Sequence, residues 1–185
     1  MTAGRQTTSL NKHWCTPPKY VASVRQFFGG RILLDPCSCV FSTVGAETEY
    51  RLPEQDGLSL SWNFKTIYVN PPYGYDRERG THVRDWLRRC AVANDEHRSE
   101  IIALVPVATN TAHWKNFVFP CARAVCFLSD TRVKFWSGGA EMKKGAPMAC
   151  ALIYWGSNIF GFRRVFVEHG AIIDLAFGGP WLKET

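Results

Sequence analysis

Short runs of apolar residues, each closed by a polar residue or a proline, recur along the chain from residue 31 onward. Continuous apolar stretches of this kind are typical of strands in a sheet that is covered on both faces. Five such runs predict five buried strands. They are residues 31–36, 66–72, 100–107, 123–128 and 148–155.

Two segments between these runs have the apolar spacing of an amphipathic helix. In residues 81–95, apolar side chains recur at positions 83, 86, 87, 90 and 91, and Thr81 is the expected N-cap. Residues 109–119 predict a shorter helix that ends before Pro120. The alternation of strands and helices favours a parallel sheet with helices on both faces.

The pattern therefore predicts an α/β fold with a doubly wound, mostly parallel sheet in a single domain, residues 1–185. Residues 129–147 carry a Gly-Gly turn signal and no helical pattern, which predicts that the last two strands form an antiparallel edge. Residues 38–65 are weakly patterned, so we expect a reduced second strand–helix unit. Residues 1–12 are expected to form a flexible tail, and the length leaves no separate target-recognition domain.

Composition excludes some classes of protein. Hydrophobic residues make up 46% of the chain, which is typical of a globular protein. We expect no membrane span, because no run approaches about 20 apolar residues, and no signal peptide, because residues 1–14 contain no apolar core. The seven cysteines are scattered without a C-x-x-C pair, which predicts reduced thiols in the cytoplasm and no metal site. The default oligomeric state is a monomer.

The charge distribution suits an anionic partner. Of the net charge of +6, most lies in residues 61–145, which hold 13 Lys and Arg against 8 Asp and Glu. An ordinary basic surface explains this charge equally well.

Polar residues followed by proline stand where two predicted strands end. Asp35-Pro36 closes the first, and Asn70-Pro71-Pro72-Tyr73 closes the second. Ligands of open α/β sheets bind outside the carboxyl ends of the strands, so both ends are candidate site residues. Asp35-Pro36 alone is more typical of a simple turn, whereas the four residues from Asn70 are specific together.

The four residues from Asn70 suit a weakly nucleophilic planar amine. Such an amine delocalises its lone pair into the ring, and two acceptors on its N–H bonds pull the nitrogen toward tetrahedral geometry. The Asn70 amide oxygen offers one acceptor and the Pro71 carbonyl, aimed by the fixed φ of proline, offers the second. Tyr73 can stack on the ring, and positioning supplies most of the rate.

Six segments in order resemble the phage-type DNA N6-adenine methyltransferase family, the Dam-like group. They are "WCTPPKYV", "LLDPCS", "DGLSLSWNFKTIYVNPPYG", "IIALVPVATNTAHW", "RVKFW" and "APMACALIYWG". The resemblance covers roughly residues 13–156. It implies a Rossmann-like fold, S-adenosylmethionine as cofactor, DNA as partner, and action in the cytoplasm of a bacterium or a phage-infected host.

The resemblance also implies residue roles. Asn70, Pro71, Pro72 and Tyr73 would bind and orient the target adenine, with Asn70 also beside the cofactor. Thr16, Pro17, Asp35, Pro36, Cys37 and Asp56 would bind the cofactor, with Asp56 near its adenine. One departure is the first strand end, "DPCSCVFSTVG", which lacks the glycine-rich turn usual in methyltransferases and so predicts modest cofactor affinity.

Basic residues near the motif are candidate DNA contacts. An adenine amino group is hidden in duplex DNA, so the base must be flipped or taken from a single strand. Arg77, Arg79 and Arg84 follow the motif and are expected to contact phosphates, as are Arg132 and Lys134. The alternative for residues 76–79 is a solvated loop whose Asp, Arg and Glu side chains pair internally.

Several other functions stay open. Methyltransferases that act on N4 of cytosine, on RNA adenine or on glutamine side chains of translation factors face a similar nitrogen. A methyltransferase fold that only binds DNA is another possibility. The segment "PPKY", residues 17–20, fits a short proline motif read by WW-type domains, a pattern that occurs often by chance.

Overall fold

The computed structural model describes residues 14–130 and 132–177, so the predicted tail at residues 1–12 lies outside the described residues. A seven-stranded sheet has the order β2-β1-β3-β4-β8-β5-β9, and β6 and β7 form a separate hairpin. The strands are β1 Leu34–Ser38, β2 Thr48–Arg51, β3 Thr66–Val69, β4 Glu100–Pro106, β5 Ala124–Leu128, β6 Trp136–Ser137, β7 Ala140–Glu141, β8 Cys150–Trp155 and β9 Gly170–Asp174. The helices are α1 Pro18–Phe27, α2 Val83–His97, a π-helix Trp114–Val118, α3 Ile159–Phe166 and a 3₁₀ turn Leu175–Phe177.

The strand pairing confirms the predicted fold class. β2, β1, β3 and β4 are parallel neighbours, and β5 runs in the same direction, because β8 is antiparallel to both β4 and β5. The antiparallel edge strand is β9, which the sequence pattern did not predict. β8, which was expected at the edge, lies inside the sheet between β4 and β5. All six of its residues are buried, as suits an inner strand, whereas β9 has no fully buried residue.

The second strand–helix unit is reduced, as predicted. β2 has four residues and lies at the other edge of the sheet. Residues 39–47 and 52–65, which flank β2 and are all described, contain no helix. The chain therefore passes from β1 to β3 with only a short edge strand between them.

Helices cover both faces of the sheet, which explains why the inner strands β3, β4, β5 and β8 are largely apolar. On one face, α1 and α3 pack against alternate strand residues such as Tyr68 and Ile102. On the other, α2 and the π-helix pack against Ile67 and Ile101. Within the described residues, no helix is long and apolar enough to cross a membrane.

Helix α2 begins one residue later than predicted. The backbone of Thr81 pairs with Asp76 in both directions, with N···O distances of 2.9 and 3.2 Å, and this small bridge occupies the expected N-cap. His82 caps the helix instead, and its backbone N–H donates to Asp85 Oδ2 at 2.8 Å. The segment between the motif and α2 is thus a closed loop on the carboxyl side of β3.

Candidate active site

A pocket lies where the carboxyl ends of β1 and β3 meet. Its walls come from three segments, residues 14–16, 35–44 and 70–73. β1 and β3 are parallel neighbours, with Leu34 paired to Ile67, so their ends open at the same edge of the sheet. The structure therefore brings together the two strand ends that the sequence singled out.

The Asn70 side chain is fixed by a hydrogen bond to the N-terminal segment, residues 14–16. Its side-chain Nδ2 donates a hydrogen bond of 2.7 Å to the carbonyl oxygen of Trp14. An amide whose NH₂ end is fixed in this way presents its oxygen as an acceptor. Pro71, which follows, is buried, so the direction of the backbone after Asn70 is fixed as well.

Tyr73 is fixed at its hydroxyl and its ring edge. The hydroxyl donates to the carbonyl of Leu104 in β4 at 3.1 Å. The ring meets Trp14 and Phe135 edge to face, with centroids 6.1 and 5.6 Å away, and those two rings stack on each other. Burial raises the pKa of the hydroxyl well above its usual value, so it stays a donor at neutral pH.

Asp35 brings a buried carboxyl to the pocket. Only 4% of the residue is exposed, and burial raises its pKa to about 7, although its Oδ1 accepts the Cys37 backbone N–H at 3.1 Å. Burial raises the pKa of the Cys37 thiol well above its usual value, and the neighbouring Asn70 backbone N–H partly opposes this rise. Asp35, Cys37 and Asn70 are therefore linked across the β1–β3 seam.

The remaining predicted cofactor residues differ in position. Thr16 is buried in the pocket wall, and its hydroxyl lies 2.8 Å from that of Tyr68. Pro17 caps helix α1 and Pro36 is buried, and neither lines the pocket. Both prolines fix the backbone next to residues that do.

Asp56 does not line the pocket, but it lies in a turn that packs against the carboxyl end of β1. Its Oδ1 accepts from the Leu58 backbone at 3.0 Å and from Arg79 Nη1 at 3.1 Å. The next residue, Gly57, lies so close to Pro36 that a Cβ there would be 1.7 Å from the Pro36 carbonyl oxygen. The turn at Asp56 is therefore packed directly on the backbone of the first strand end.

Sequence reasoning missed several pocket residues. Trp14, Cys15, Ser38, Cys39, Ser42 and Val44 line the pocket beside the predicted ones. Their only signal was position, because each lies within about nine residues of Thr16 or Asp35. The short segment 39–47 turns back over the strand end, and Thr43 Oγ1 donates to the Thr16 carbonyl at 2.6 Å.

The chemistry of the pocket fits the amino-acid end of S-adenosylmethionine. Trp14 Nε1 and Ser38 Oγ are buried polar atoms without a hydrogen-bond partner within the described residues, and both can donate to a carboxylate. Asp35 supplies the opposite charge for an ammonium group. The enclosed volume is about 50 Å³, so a nucleoside-sized group would lie in the open part of the cleft. The described residues hold no cluster of three metal-ligating side chains.

The five predicted DNA contacts fall into two kinds. Arg79 is only 18% exposed in its side chain and bonds both Asp56 and Asp76, so it braces the loop from within. The other four are exposed. Arg84 lies 3.6 Å from Asp85, Lys134 lies 3.5 Å from Glu141, and Arg132 donates weakly to the Ala146 carbonyl. Arg77 has no ion-pair partner among residues 14–130 and 132–177.

Comparison with known proteins identifies the family of this chain. The family described as DNA N-6-adenine-methyltransferase (Dam) matches residues 4–169. One curated relative is the DNA N-6-adenine-methyltransferase of Haemophilus phage HP1, which is 22% identical over 135 residues, 73% of this chain and 72% of that protein. No solved structure matches the chain. The family match spans nearly the whole sequence and includes every pocket segment, and the chain therefore belongs to the Dam family of DNA N6-adenine methyltransferases.

Proposed function

We propose that this chain transfers a methyl group from S-adenosylmethionine to the N6 amino group of adenine in DNA. The observation that carries the proposal is the Asn70 side chain, whose NH₂ end is bonded to the Trp14 carbonyl at the rim of a pocket containing Asp35. Family membership supplies the reaction class, and the pocket supplies groups suited to each reactant.

Asn70 and Pro71 are proposed to bind the adenine amine. The Asn70 amide oxygen and the Pro71 carbonyl each accept one N–H of the amine, which localises the nitrogen lone pair for attack. The bound cofactor supplies the electrophilic methyl group. Because Asn70 is already oriented by Trp14, little reorganisation remains at the moment of reaction.

Pro72 and Tyr73 are proposed to bind the adenine ring. Pro72 lines the pocket between the two acceptors and the tyrosine. The Tyr73 ring is immobilised by its hydroxyl bond to Leu104 and by two edge contacts, so stacking on it costs little entropy. A base stacked on an aromatic side chain gains about 1–3 kcal/mol.

The proposed cofactor contacts divide into wall and support. Thr16, Asp35, Cys37 and Asn70 face the pocket, and Asp35 pairs with the ammonium of the cofactor. Pro17 and Pro36 hold the backbone of those residues. Asp56 is proposed to lie toward the cofactor adenine, since Gly57 packs the turn against the Pro36 carbonyl at the end of β1.

The exposed basic residues are proposed to contact DNA phosphates. Arg77 and Arg84 follow the adenine-binding segment, and Arg132 and Lys134 precede the β6–β7 hairpin. Phe135, which follows Lys134 in the chain, packs against the pocket residues Trp14 and Tyr73. Arg132 and Lys134 therefore lie near the rim of the pocket. Arg79 is proposed to act by shaping the loop that presents Arg77.

Methyl transfer to separate polymers tests this proposal. The full chain is incubated with S-adenosylmethionine carrying a labelled methyl group and with unmethylated DNA, RNA or bacterial protein. We expect label in DNA and a background level in RNA and protein. Label that appears in RNA or protein and not in DNA would replace the proposal by one of the alternatives.

A further inference from the structure

Two thiols from distant parts of the chain meet in the wall of the pocket. The sulfurs of Cys15 and Cys39 are 3.4 Å apart, although the residues are 24 positions apart in sequence. Both side chains line the pocket, whereas Cys90 and Cys126 are enclosed in the two cores. The juxtaposition therefore differs from the ordinary use of cysteine as a small core residue.

We propose that Cys15 and Cys39 are an oxidation site, at which a peroxide converts the two thiols to a disulfide that closes the pocket. The Cys39 sulfur attacks one peroxide oxygen, the O–O bond breaks, and water leaves. The Cys15 sulfur then attacks the Cys39 sulfur and displaces a second water. Two thiols lose two electrons and two protons, and one peroxide molecule is reduced to two waters.

Exposure and hydrogen bonding assign the order of the two steps. Cys39 is partly exposed, whereas Cys15 is only 6% exposed, so a dissolved peroxide reaches Cys39 first. The hydrogen bond with Cys39, together with burial, raises the pKa of the Cys15 thiol, so Cys15 is a poor candidate for the first attack on the peroxide. The nearby Asp35 raises the Cys15 pKa further, and its carboxyl is itself partly protonated near neutral pH.

The backbone already aligns the two segments for this bond. Thr43 Oγ1 donates to the carbonyl of Thr16, the residue after Cys15, at 2.6 Å. This bond joins the segment 39–47, which contains Cys39, to the segment 14–16. The Cys15 backbone is bonded in both directions to Trp136, at 2.8 and 2.9 Å. A disulfide needs an S–S distance of about 2.05 Å, so the sulfurs must approach by about 1.4 Å.

That movement acts on the proposed chemistry through Trp14. The Trp14 carbonyl orients Asn70, and Trp14 directly precedes Cys15 in the chain. A displacement of about 1 Å in a reacting group costs on the order of 100-fold in rate, so we expect a decrease of about that size in the oxidised protein. This consequence rests on the proposed methyl transfer, whereas formation of the bond does not.

Peptide mapping tests the bond independently of activity. The full reduced chain is treated with hydrogen peroxide, the remaining thiols are blocked with iodoacetamide, and the tryptic peptides are analysed by mass spectrometry. We expect residues 13–19, which contain Cys15, linked to residues 32–51. Because Cys37 and Cys39 share the second peptide, Cys37→Ser should keep the link and Cys39→Ser should abolish it.

A rate measurement on the same samples tests the consequence. Wild type should lose methyl transfer about 100-fold after peroxide and regain it with dithiothreitol, and Cys121→Ser, at an exposed thiol near Asn116, should behave as wild type. The Cys39→Ser variant cannot form the disulfide, so its rate after peroxide should equal its own rate before peroxide. Oxidation of Cys121 without the 13–19 to 32–51 link would overturn the site. A complete link with an unchanged rate would overturn its closing role.

The experiment separates the two proposals. If the chain transfers no methyl group even when reduced, the proposed function fails and peptide mapping still decides whether the disulfide forms. Phenylarsine oxide, which bridges two neighbouring thiols, gives a second measurement without an oxidant. It should protect Cys15 and Cys39 together from iodoacetamide, and protection of neither would contradict the close approach of the two sulfurs.

Discussion

The two halves of the segment 70–84 use polar residues in different ways. From Asn70 to Tyr73, the Asn70 side-chain NH₂ and the Tyr73 hydroxyl are bonded to the neighbouring main chain, at Trp14 and at β4. From Tyr75 to Arg84, the chain forms a small loop and then the first residues of α2, and within the loop Arg79 is bonded internally and Arg77 is exposed. In the proposed function, the first half holds a small group in place and the second presents charge to DNA.

Loss of the Asn70 amide is the strongest test of the first half. Asn70→Ala removes one proposed acceptor of the adenine amine, and loss of one such hydrogen-bonding group typically costs about 100- to 1,000-fold in kcat. We expect kcat to fall by at least that factor, while calorimetry finds cofactor affinity within a few-fold of wild type. The control is Asn63→Ala, at an exposed asparagine outside the pocket.

Equal activity of Asn70→Ala and Asn63→Ala would remove the central residue from the account. Loss of activity accompanied by a large fall in melting temperature would make Asn70 a structural residue. The contrast between the two halves of the segment would then disappear.

The pH dependence of Asp35 gives the next largest effect. Burial raises its pKa from 3.8 to about 7, so the folded state binds a proton that the unfolded state has already lost. Such a group stabilises the fold at low pH, and this contribution is lost as pH rises from about 4 to about 7. Asp35→Asn should therefore be more stable than wild type at pH 8, measured by urea unfolding, and should bind S-adenosylmethionine more weakly.

If Asp35 faces the cofactor as proposed, cofactor binding should depend on pH. A cationic cofactor beside Asp35 favours the carboxylate, so binding should release a proton near pH 7 and tighten as pH rises. Calorimetry in two buffers of different ionisation enthalpy measures this release. A binding enthalpy independent of the buffer would show that Asp35 does not face the cofactor.

Arg79 and Arg77 separate support from contact within the loop. Arg79→Ala removes the side-chain partner of Asp76 Oδ2, in a residue that is only 2% exposed, and should lower the free energy of unfolding by about 1–3 kcal/mol. Arg77→Ala, at an exposed position, should change it by less than about 0.5 kcal/mol. Equal effects in urea unfolding would contradict the assignment of Arg79 as an internal brace.

Acid should reveal the same brace. Burial alone would raise the pKa of Asp76, but hydrogen bonds from Arg79 outweigh it and lower the pKa below its usual value. A carboxyl with a lowered pKa contributes stability above its unfolded pKa of about 3.9, which is lost as pH falls below that value. This part of the acid destabilisation should be smaller in Arg79→Ala, because only backbone N–H groups then donate to Asp76.

Salt dependence tests the exposed arginine and gives the smallest effect. If Arg77 contacts one phosphate, Arg77→Ala should lower DNA affinity by a few-fold and reduce the slope of log K against log salt by about 0.9. Fluorescence anisotropy over a series of salt concentrations measures the slope. A slope unchanged from wild type would place Arg77 outside the DNA contact.

Physical reasons separate what the sequence predicted from what it did not. The five buried strands were predicted because both sheet faces are covered, which makes the strands continuously apolar. Helix α1 was missed because its first residues, Pro18 and Lys19, look like a loop, although proline is favoured at the first helical turn. The edge strand β9 alternates partly exposed residues and so lacks the apolar run of the others.

The site was predictable at its strand ends and not at its crossing contacts. Asn70 and Asp35 were found because each follows an apolar run. The Trp14 carbonyl on Asn70 joins residues 56 positions apart, and the Asp56–Arg79 pair joins residues 23 positions apart. No local pattern encodes such contacts, so the choice between a paired and a DNA-binding Arg79 needed the fold.

Nucleoside analysis of the DNA product tests the central claim most directly. Unmethylated DNA is incubated with the chain and S-adenosylmethionine, digested to nucleosides, and analysed by mass spectrometry beside a reaction with Asn70→Ala. The account predicts N6-methyl-2′-deoxyadenosine with wild type and a background level with the variant. N4-methyl-2′-deoxycytidine, or no methylated nucleoside from a wild-type chain that binds the cofactor, would contradict it.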